Sequence, residues 1–464
     1  MAPPSDFPLA FEGGCTPLLL ALFDQTPVVD GARLAIHAAD DMMNHFLWNY
    51  GEGRGWQMEQ ALSAYFRSGL MIWEHQRRIL EWRFGDLATC KSVLDFASGY
   101  GRATRFMIHD LGGERVWAAE IDPDAVRFQQ EVLGAHGLLS TPVPEDLACP
   151  RRFDAILVSS LFTHLPEATF RRWLARLWSL LAPGGVLAFS VHGEHLLPAG
   201  AALSESGIHF VSQSESRLLD TDLYGSTWVN EAFVRGLLGE VAPGASAALF
   251  PRGLANFQDL WVVVDGTGAD GSEIDFSALD LRAPLEGFVE SCRFEPPRLR
   301  LAAWAADRTS GLPPREALLF AGDRQIAATR DFAPRPEVRE LFPTENVAAV
   351  GFRLEAEWPP ELPRATTKLE VRVIDAEGRA TPLLAVPCET ALLRAARFDA
   401  WLNARHQEGE QARIAAERES ERSLAERTES ELRARIAAMQ ASRFWKLRNA
   451  WFEIKRTFGL TRET

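Results

Sequence analysis

The sequence predicts an α/β domain with a doubly wound parallel sheet, then a β-sandwich and a long C-terminal helix. Over residues 91–265, short apolar runs alternate with amphipathic helical segments, and one run leads into a glycine-rich turn. Such alternation is typical of a parallel sheet with helices on both faces. After residue 274 short strands separated by Pro, Gly and Asp favour a sandwich. After residue 390 a composition rich in Ala, Glu and Arg favours a helix.

Five predicted segments follow from these changes of pattern. We expect an N-terminal helical segment over residues 1–90 and the α/β domain over 91–265. An accessory β-sandwich would occupy 274–388, and a long helix or coiled coil would occupy 390–440. Residues 441–464 form a basic, aromatic, amphipathic tail.

Composition excludes several classes of protein. The 464 residues carry a net charge of -14, which disfavours a nucleic-acid partner for the whole chain. The five cysteines form no CxxC pair, as expected of reduced thiols in the cytoplasm. The N-terminus lacks the basic region of a secretory signal, and no stretch approaches the ~20 apolar residues that span a bilayer. We therefore predict a cytoplasmic protein, with the tail as its one candidate contact to the inner membrane.

The strongest motif is the run Val93–Arg102, VLDFASGYGR. An apolar strand enters a turn of small residues, which lets backbone approach a ligand, and a helix N-terminus follows. The third glycine of a dinucleotide motif is missing, because Thr104 stands there. Asp95 suits a ligand with an ammonium group better than a pyrophosphate. A nicotinamide cofactor is therefore disfavoured.

A second motif ends in an acidic residue. Glu120 follows Gly101 by 19 residues and closes the next predicted strand, AAEIDP. A carboxylate at this place accepts hydrogen bonds from both hydroxyls of a ribose. Pro123 then begins a helix.

Together these motifs resemble the class I S-adenosylmethionine-dependent methyltransferases, which have a Rossmann-like fold. Two later segments match the same family, FDAILVSS at 153–160 and LAPGGVL at 181–187. The sequence departs at Ala97, where the family usually has glycine. The resemblance implies that Asp95 orients the methionine end of S-adenosylmethionine, that Glu120 binds the ribose and that Ile121 flanks the adenine. The cofactor-binding residues implied are Tyr65, Gly69, Asp95, Ala97, Ser98, Gly99, Gly101, Glu120, Ile121 and Ser160.

A finer resemblance concerns a bacterial subgroup with a C-terminal β domain and a coiled-coil tail. It is carried by the pattern Tyr65-Phe66-Arg67-Ser68-Gly69, by LFTHLP after the fourth strand and by Gln258-Asp259. Members of this subgroup often occur with polysaccharide biosynthesis. The resemblance implies O-methylation of a sugar or cell-surface glycan intermediate.

Two histidines are the candidates for catalysis. His164 and His192 follow the carboxyl ends of two central strands, where open α/β sheets bind their ligands. Histidine can accept the proton of a hydroxyl near neutral pH. The alternative is that each caps a helix or bonds a backbone carbonyl. No third ligand accompanies His192 and His195, so no metal site is predicted.

Other functions and partners remain open at this stage. The acceptor could be a small metabolite or a lipid, or the chain could be a non-catalytic scaffold in a glycan-biosynthesis complex. The sandwich could bind carbohydrate or act as a spacer. The mixed charges of residues 407–438 fit either a coiled-coil homo-oligomer or a single solvated helix. The basic and aromatic tail fits an anionic membrane surface or a partner subunit.

Overall fold

The computed structural model describes most of the chain. The described residues are 7–11, 31–51, 58–213, 219, 221–255, 257–266, 274–281, 285–307, 310–336, 338, 349–441 and 443–457. They divide into two compact units, Met1–Ala396 and Arg397–Thr464.

A seven-stranded sheet forms the centre of the first unit. In chain order its strands are β1 Val93–Phe96, β2 Val116–Glu120, β3 His136–Leu139, β4 Phe153–Val158, β5 Leu181–Val191, β6 Ser246–Leu254 and β7 Gln258–Val264. Their order across the sheet is β6-β7-β5-β4-β1-β2-β3. Strands β1 to β5 are mutually parallel and follow the doubly wound order 3-2-1-4-5. The predicted α/β fold is confirmed.

The last two strands make the sheet mixed instead of fully parallel. Strand β7 runs antiparallel to both β5 and β6. Only residues 255–257 connect β6 to β7, and a parallel pair needs a crossover of a dozen residues or more. The short connection therefore imposes an antiparallel pair at this edge.

Helices cover both faces of the sheet. They are α1 Asp41–Gly51, α2 Met58–Phe84, α3 Thr104–Leu111, α4 Pro123–Phe128, α5 Glu167–Ser179 and α6 Glu231–Val241. Short 3-10 turns lie at Gly31–Leu34, Leu87–Thr89, Gly113–Arg115, Pro144–Asp146, Glu194–Leu196 and Phe276–Ala278, and a π-helical turn at Gln129–Leu133. Every residue of β1 and β7 is buried, as expected of strands covered on both faces.

Helix α2 belongs to the core of the sheet. Its buried side chains, among them Leu62, Phe66 and Trp73, pack in one cluster with Val93 and Val262 of the strands. At its C-terminal end Arg83 donates two hydrogen bonds to the carbonyl of Gly184, at 3.0 and 2.7 Å. The N-terminal helical segment thus shares a hydrophobic core with the α/β domain.

The predicted β-sandwich follows. Its strands are β8 Glu286–Glu295, β9 Arg298–Ala306, β10 Glu316–Ala321, β11 Arg324–Thr329, β12 Ala333–Pro334, β13 Ala349–Glu357, β14 Lys368–Ile374 and β15 Ala380–Pro387. They form two four-stranded antiparallel sheets, β8-β9-β13-β12 and β11-β10-β14-β15. Along β9 buried Leu299 and Leu301 alternate with exposed Arg298 and Arg300. Trp304 is buried in this domain, so it presents no open ring face to a sugar.

Two further pairs of short strands flank the central sheet. Leu9–Phe11 pairs with Ile36–His37, and Ile208–Val211 pairs with Ser226–Val229. The second pair stands near the carboxyl end of β5, where His192 forms a bridge with Trp228.

Two helices end the described chain. Helix α7, Cys388–Ala441, begins in the sandwich core, where Cys388, Ala391 and Ala395 are buried. Helix α8, Arg443–Thr457, follows it. Among the described helices, none is both long enough and apolar enough to cross a membrane.

Candidate active site

The turn between β1 and α3 has an unusual backbone. Ala97, Gly99 and Gly101 have positive φ angles of 59°, 57° and 79°. Glycine adopts this region freely, whereas Ala97 does so at a cost of about 1–2 kcal/mol. A Cβ on Gly101 would lie 2.4 Å from Cδ1 of Leu133, while one on Gly99 would meet nothing within 4 Å. Gly101 therefore permits close packing, and Gly99 faces open space.

Gln129 holds this turn from behind. Its Nε2 donates hydrogen bonds of 2.8 Å to both the Ser98 hydroxyl and the Gly99 carbonyl. The side chain is fully buried. Gln129 could not be predicted from the sequence, because it lies about 30 residues beyond the turn, in a helical segment without a motif.

Glu120 stands beside the same turn. Its carboxylate accepts hydrogen bonds from the backbone N–H of Gly99 at 2.8 Å and of Ile121 at 2.7 Å. Burial raises the pKa of Glu120, and these two bonds oppose the shift. A carboxylate has about four acceptor positions, so about two remain for the hydroxyls of a ribose.

Asp95 lies deeper. It is buried at the end of β1 and accepts a 2.6 Å hydrogen bond from the Thr104 hydroxyl. The pKa of Asp95 is raised to about 7, mainly by burial and also by the charge of Glu120, while the Thr104 bond opposes the shift. A cation bound at this carboxylate would lower the pKa again, which fits a ligand with an ammonium group.

The predicted residues of α2 support the turn from its other side. A Cβ on Gly69 would lie 2.2 Å from the carbonyl oxygen of Arg102, so glycine allows helix and turn to touch. The Ser68 hydroxyl accepts a 2.8 Å hydrogen bond from Arg102. Tyr65 is fully buried, and its hydroxyl donates to Asp40 at 2.6 Å. The structure thus brings Tyr65 and Gly69 to the turn as packing partners.

A buried arginine ties these parts together. Arg105 of α3 is fully buried and donates to the backbone carbonyls of Gly101, Arg33 and Ala35 at 3.0, 2.6 and 2.9 Å. It also donates to the Tyr65 hydroxyl at 3.2 Å. No sequence motif points to Arg105, and its one signal in the sequence is a charge within an apolar helical segment.

His164 belongs to a second group of side chains, beyond the end of β4. Its Nδ1 lies 2.7 Å from the carbonyl oxygen of Gly225. Because a carbonyl can only accept, Nδ1 carries the proton and the neutral ring has its lone pair on Nε2. The ring stacks on Tyr224, with centroids 4.5 Å apart and planes 13° apart.

His192 directly follows the neighbouring strand β5. Its ring centroid is 6.5 Å from that of His164, 5.8 Å from Trp228 and 6.2 Å from Phe257. Burial, together with the proximity of His164, lowers the pKa of His192 to about 4. His192 is therefore a neutral group in this aromatic wall at physiological pH.

Ser160 connects the end of β4 with its neighbours. It has a φ of 63°, and its backbone N–H donates to the Ser190 hydroxyl at 2.8 Å. Its own hydroxyl is bonded by Nε2 of Gln258 at 2.7 Å, and that nitrogen lies 3.5 Å from Nε2 of His192. Ser160 thus orients a polar network beside the histidine pair.

No group of three or more metal-ligating side chains occurs among the residues that the structure describes. In particular, His195 is held by other partners. Its Nε2 bonds the Phe257 carbonyl at 3.1 Å, and its Nδ1 lies 3.7 Å from Asp259.

Comparison with known proteins agrees with this geometry. Residues 94–187 match the sequence model of a family described as a methyltransferase domain. The malonyl-[acyl-carrier protein] O-methyltransferase of Prosthecochloris aestuarii is 27% identical over 143 residues, which are 29% of this chain and 53% of that protein. The ribosomal protein L11 methyltransferase of Geobacter metallireducens is 34% identical over 105 residues, 22% of this chain and 33% of that protein. The chain therefore spans about half the length of the first relative and about a third of the length of the second.

The crystal structure of DesVI from Streptomyces venezuelae aligns with 49% of this chain and 98% of its own. The sequence identity is 16% and the TM-score is 0.34. Independently of that alignment, the strand order and the β1 turn described above resemble the Rossmann-like methyltransferase fold. The match of residues 94–187 to a methyltransferase domain and the order of the parallel strands agree with one another.

Proposed function

We propose that the chain transfers a methyl group from S-adenosylmethionine to a hydroxyl of a sugar or glycan intermediate. The observation that carries the proposal is the tautomer of His164. Its lone pair is on Nε2, and its ring lies among aromatic side chains beyond the carboxyl end of β4. Asp95 and Glu120 lie at the carboxyl ends of β1 and β2 in the same sheet. A base and a cofactor site thus meet at the carboxyl ends of adjacent strands, where open α/β sheets bind ligands.

The residues present fit the cofactor. Asp95 would meet its ammonium group, and Glu120 would accept from the ribose hydroxyls at the positions that Gly99 and Ile121 leave open. Gly99 offers open space at the turn. Ile121 would flank the adenine. When bound, the cofactor supplies an electrophilic methyl group on a sulfonium.

His164 would act on the acceptor. Its Nε2 takes the proton of the attacking hydroxyl, while the Gly225 carbonyl holds Nδ1 and stabilises the charged ring. A positioned base of this kind contributes about 10²–10⁴-fold to a rate. His192, neutral and 6.5 Å away, would orient the acceptor by hydrogen bonding.

The walls of this site support a ring-shaped, polyhydroxylated acceptor. Tyr224 and Trp228 present aromatic surface beside two histidines, and Phe257 is 54% exposed next to His192. Aromatic faces pack on the C–H faces of sugars, and imidazoles bond their hydroxyls. A small metabolite or a lipid is the alternative acceptor, and a non-catalytic scaffold is the alternative from another class.

Calorimetric titration with S-adenosylhomocysteine, with NADH as the control ligand, tests the cofactor. We expect binding of the first ligand alone. Replacing Glu120 by Gln should weaken it by about 10–100-fold, because charge-assisted bonds to the ribose are lost. Glu145→Gln is the matched control, since Glu145 is paired with Arg172 at the surface. Absence of binding by folded wild-type protein would favour the scaffold.

Methyl incorporation into a panel of glycan acceptors tests the base. We expect His164→Gln to lower kcat by about 10²–10⁴-fold while S-adenosylhomocysteine affinity stays unchanged. The control is His136→Gln, because His136 lies at the opposite end of the sheet, at the start of β3. Unchanged turnover in the His164 variant would refute its role as a base and leave the cofactor assignment standing.

A further inference from the structure

Helix α8 is basic, unlike the acidic chain as a whole, and it exposes large apolar side chains. Arg443–Thr457 holds five basic residues and one acidic residue, a net charge of +4 (5 - 1), in a chain whose total is -14. Leu447, Trp451 and Phe452 are 71%, 58% and 48% exposed. Exposed large apolar side chains among cations mark an interaction surface.

Two of the cations, Arg448 and Lys455, lie on the side of the helix that carries the aromatic rings. The Arg448 guanidinium lies 4.5 Å from the ring centroid of Trp445 and 5.3 Å from that of Phe452. The Lys455 ammonium lies 5.4 Å from the ring of Trp451. Apolar and cationic groups would therefore meet the same partner, which must offer hydrocarbon and negative charge together.

We propose that α8 lies flat on an anionic phospholipid surface and attaches the methyltransferase to it. Aromatic residues prefer the headgroup level, and each Lys or Arg near an anionic leaflet strengthens binding. A helix of 15 residues is about 22 Å long, too short to cross a hydrocarbon core of about 30 Å. It can lie in the interface but cannot span it.

The charge of the helix argues against the other occupants. Two copies of α8 would each carry a net charge of +4, so electrostatic repulsion opposes their association. A nucleic acid offers negative charge but no hydrocarbon layer for the exposed side chains of Leu447, Trp451 and Phe452. An anionic lipid surface offers hydrocarbon and negative charge together.

Flotation of the full-length protein with vesicles tests this proposal. One set of vesicles contains phosphatidylcholine alone, and the other contains phosphatidylcholine mixed with phosphatidylglycerol. We expect binding to the anionic vesicles, reduced by added salt, and little binding to the neutral ones. Arg448→Ala with Lys455→Ala should weaken partitioning by about 25-fold, since each cation contributes about fivefold.

A second pair of variants tests the apolar contribution. Leu447→Ala with Trp451→Ala should weaken partitioning by about tenfold or more. The matched controls are Leu312→Ala with Leu393→Ala, which are 57% and 53% exposed outside α8, and Arg324→Ala with Arg330→Ala in the sandwich. These controls should bind like wild type, and all variants should keep S-adenosylhomocysteine affinity.

Two results would overturn the proposal. One is equal binding to both vesicle types, or none to either. The other is an α8 variant that changes the molar mass in light scattering while vesicle binding stays the same, which would assign the surface to a second copy of the chain. Both readouts are independent of methyl transfer.

Discussion

At the scale of single residues, Asp95 is the most informative side chain. It is buried with one side-chain hydrogen bond, from Thr104, and this environment raises its pKa to about 7. The carboxyl is thus poised between its two protonation states at neutral pH. A ligand cation would shift it to the charged form.

We predict that Asp95 makes the unliganded protein less stable as the pH rises. The folded pKa of about 7 exceeds the unfolded value of 3.8, so the folded state binds more protons between these limits. Its stabilising contribution is present below pH 3.8 and is lost as the pH rises through about 7. Relative to wild type, Asp95→Asn should gain on the order of 4 kcal/mol of unfolding free energy across this window.

Urea unfolding at several pH values measures this difference. Comparison with wild type is essential, because His75 and His192, whose pKa values burial lowers to about 4, produce the opposite slope between pH 4 and 6.5. Glu357→Gln, an exposed carboxyl in the sandwich, is the control. Parallel curves for Asp95→Asn and wild type would show that Asp95 titrates normally.

At the scale of elements, helix α2 covers one face of the sheet and also contacts the cofactor turn. It touches the cofactor turn at Gly69 and Ser68 and the first residues of β5 at Gly184. Its closest approach, at Gly69, leaves no room for a methyl group. The position of the turn therefore depends on the position of this helix.

Substitution of two helical glycines should separate this contact from helix propensity. Gly69→Ala should destabilise the protein by about 1–3 kcal/mol, as overpacked sites do, and should weaken S-adenosylhomocysteine binding. Gly236→Ala in α6, where a Cβ meets nothing within 4 Å, should stabilise it by about 0.5–1 kcal/mol. Thermal unfolding and calorimetry give both values. Equal effects of the two variants would show that the contact at Gly69 does not position the cofactor turn.

At the scale of the whole molecule, α7 offers a second apolar series beside that of α8. Leu432, Ile436 and Met439 are 53%, 54% and 56% exposed, and they follow one another at intervals of four and three residues. This is the spacing of a coiled-coil seam. Pairs such as Arg433 with Glu429, 2.6 Å apart, would equally support a single solvated helix.

We predict that the full chain is a homo-oligomer joined through α7. Light scattering should give a multiple of the 51.6 kDa chain mass. Leu432→Glu with Ile436→Glu should return the mass to one chain, because charges in the seam cannot be buried. Arg427→Ala, which truncates an exposed side chain of the same helix, should leave the mass unchanged. A single-chain mass for wild type would support the solvated helix.

Much of the architecture could be predicted from the sequence. The alternation of strands and helices, the change to short strands after residue 274 and the final helix are all present. The antiparallel β7 was not foreseen, and the role of α2 in the sheet core was not foreseen either. Both depend on which faces meet in space, which periodicity does not specify.

The cofactor turn could be predicted because its requirements are local. Gly99 and Gly101 are needed for the left-handed backbone of one short turn, and Asp95 and Glu120 end the strands beside it. These constraints act over a few residues, so the sequence by itself determines them.

Tertiary structure decided the rest of the candidate site. Gln129 and Arg105 reach the turn through contacts that no short motif encodes. The tautomer of His164 depends on the carbonyl of Gly225, which lies 61 residues away along the chain. Long-range packing brings these groups within hydrogen-bonding distance, and for that physical reason only the folded chain determines which atoms can bind, orient or accept a proton.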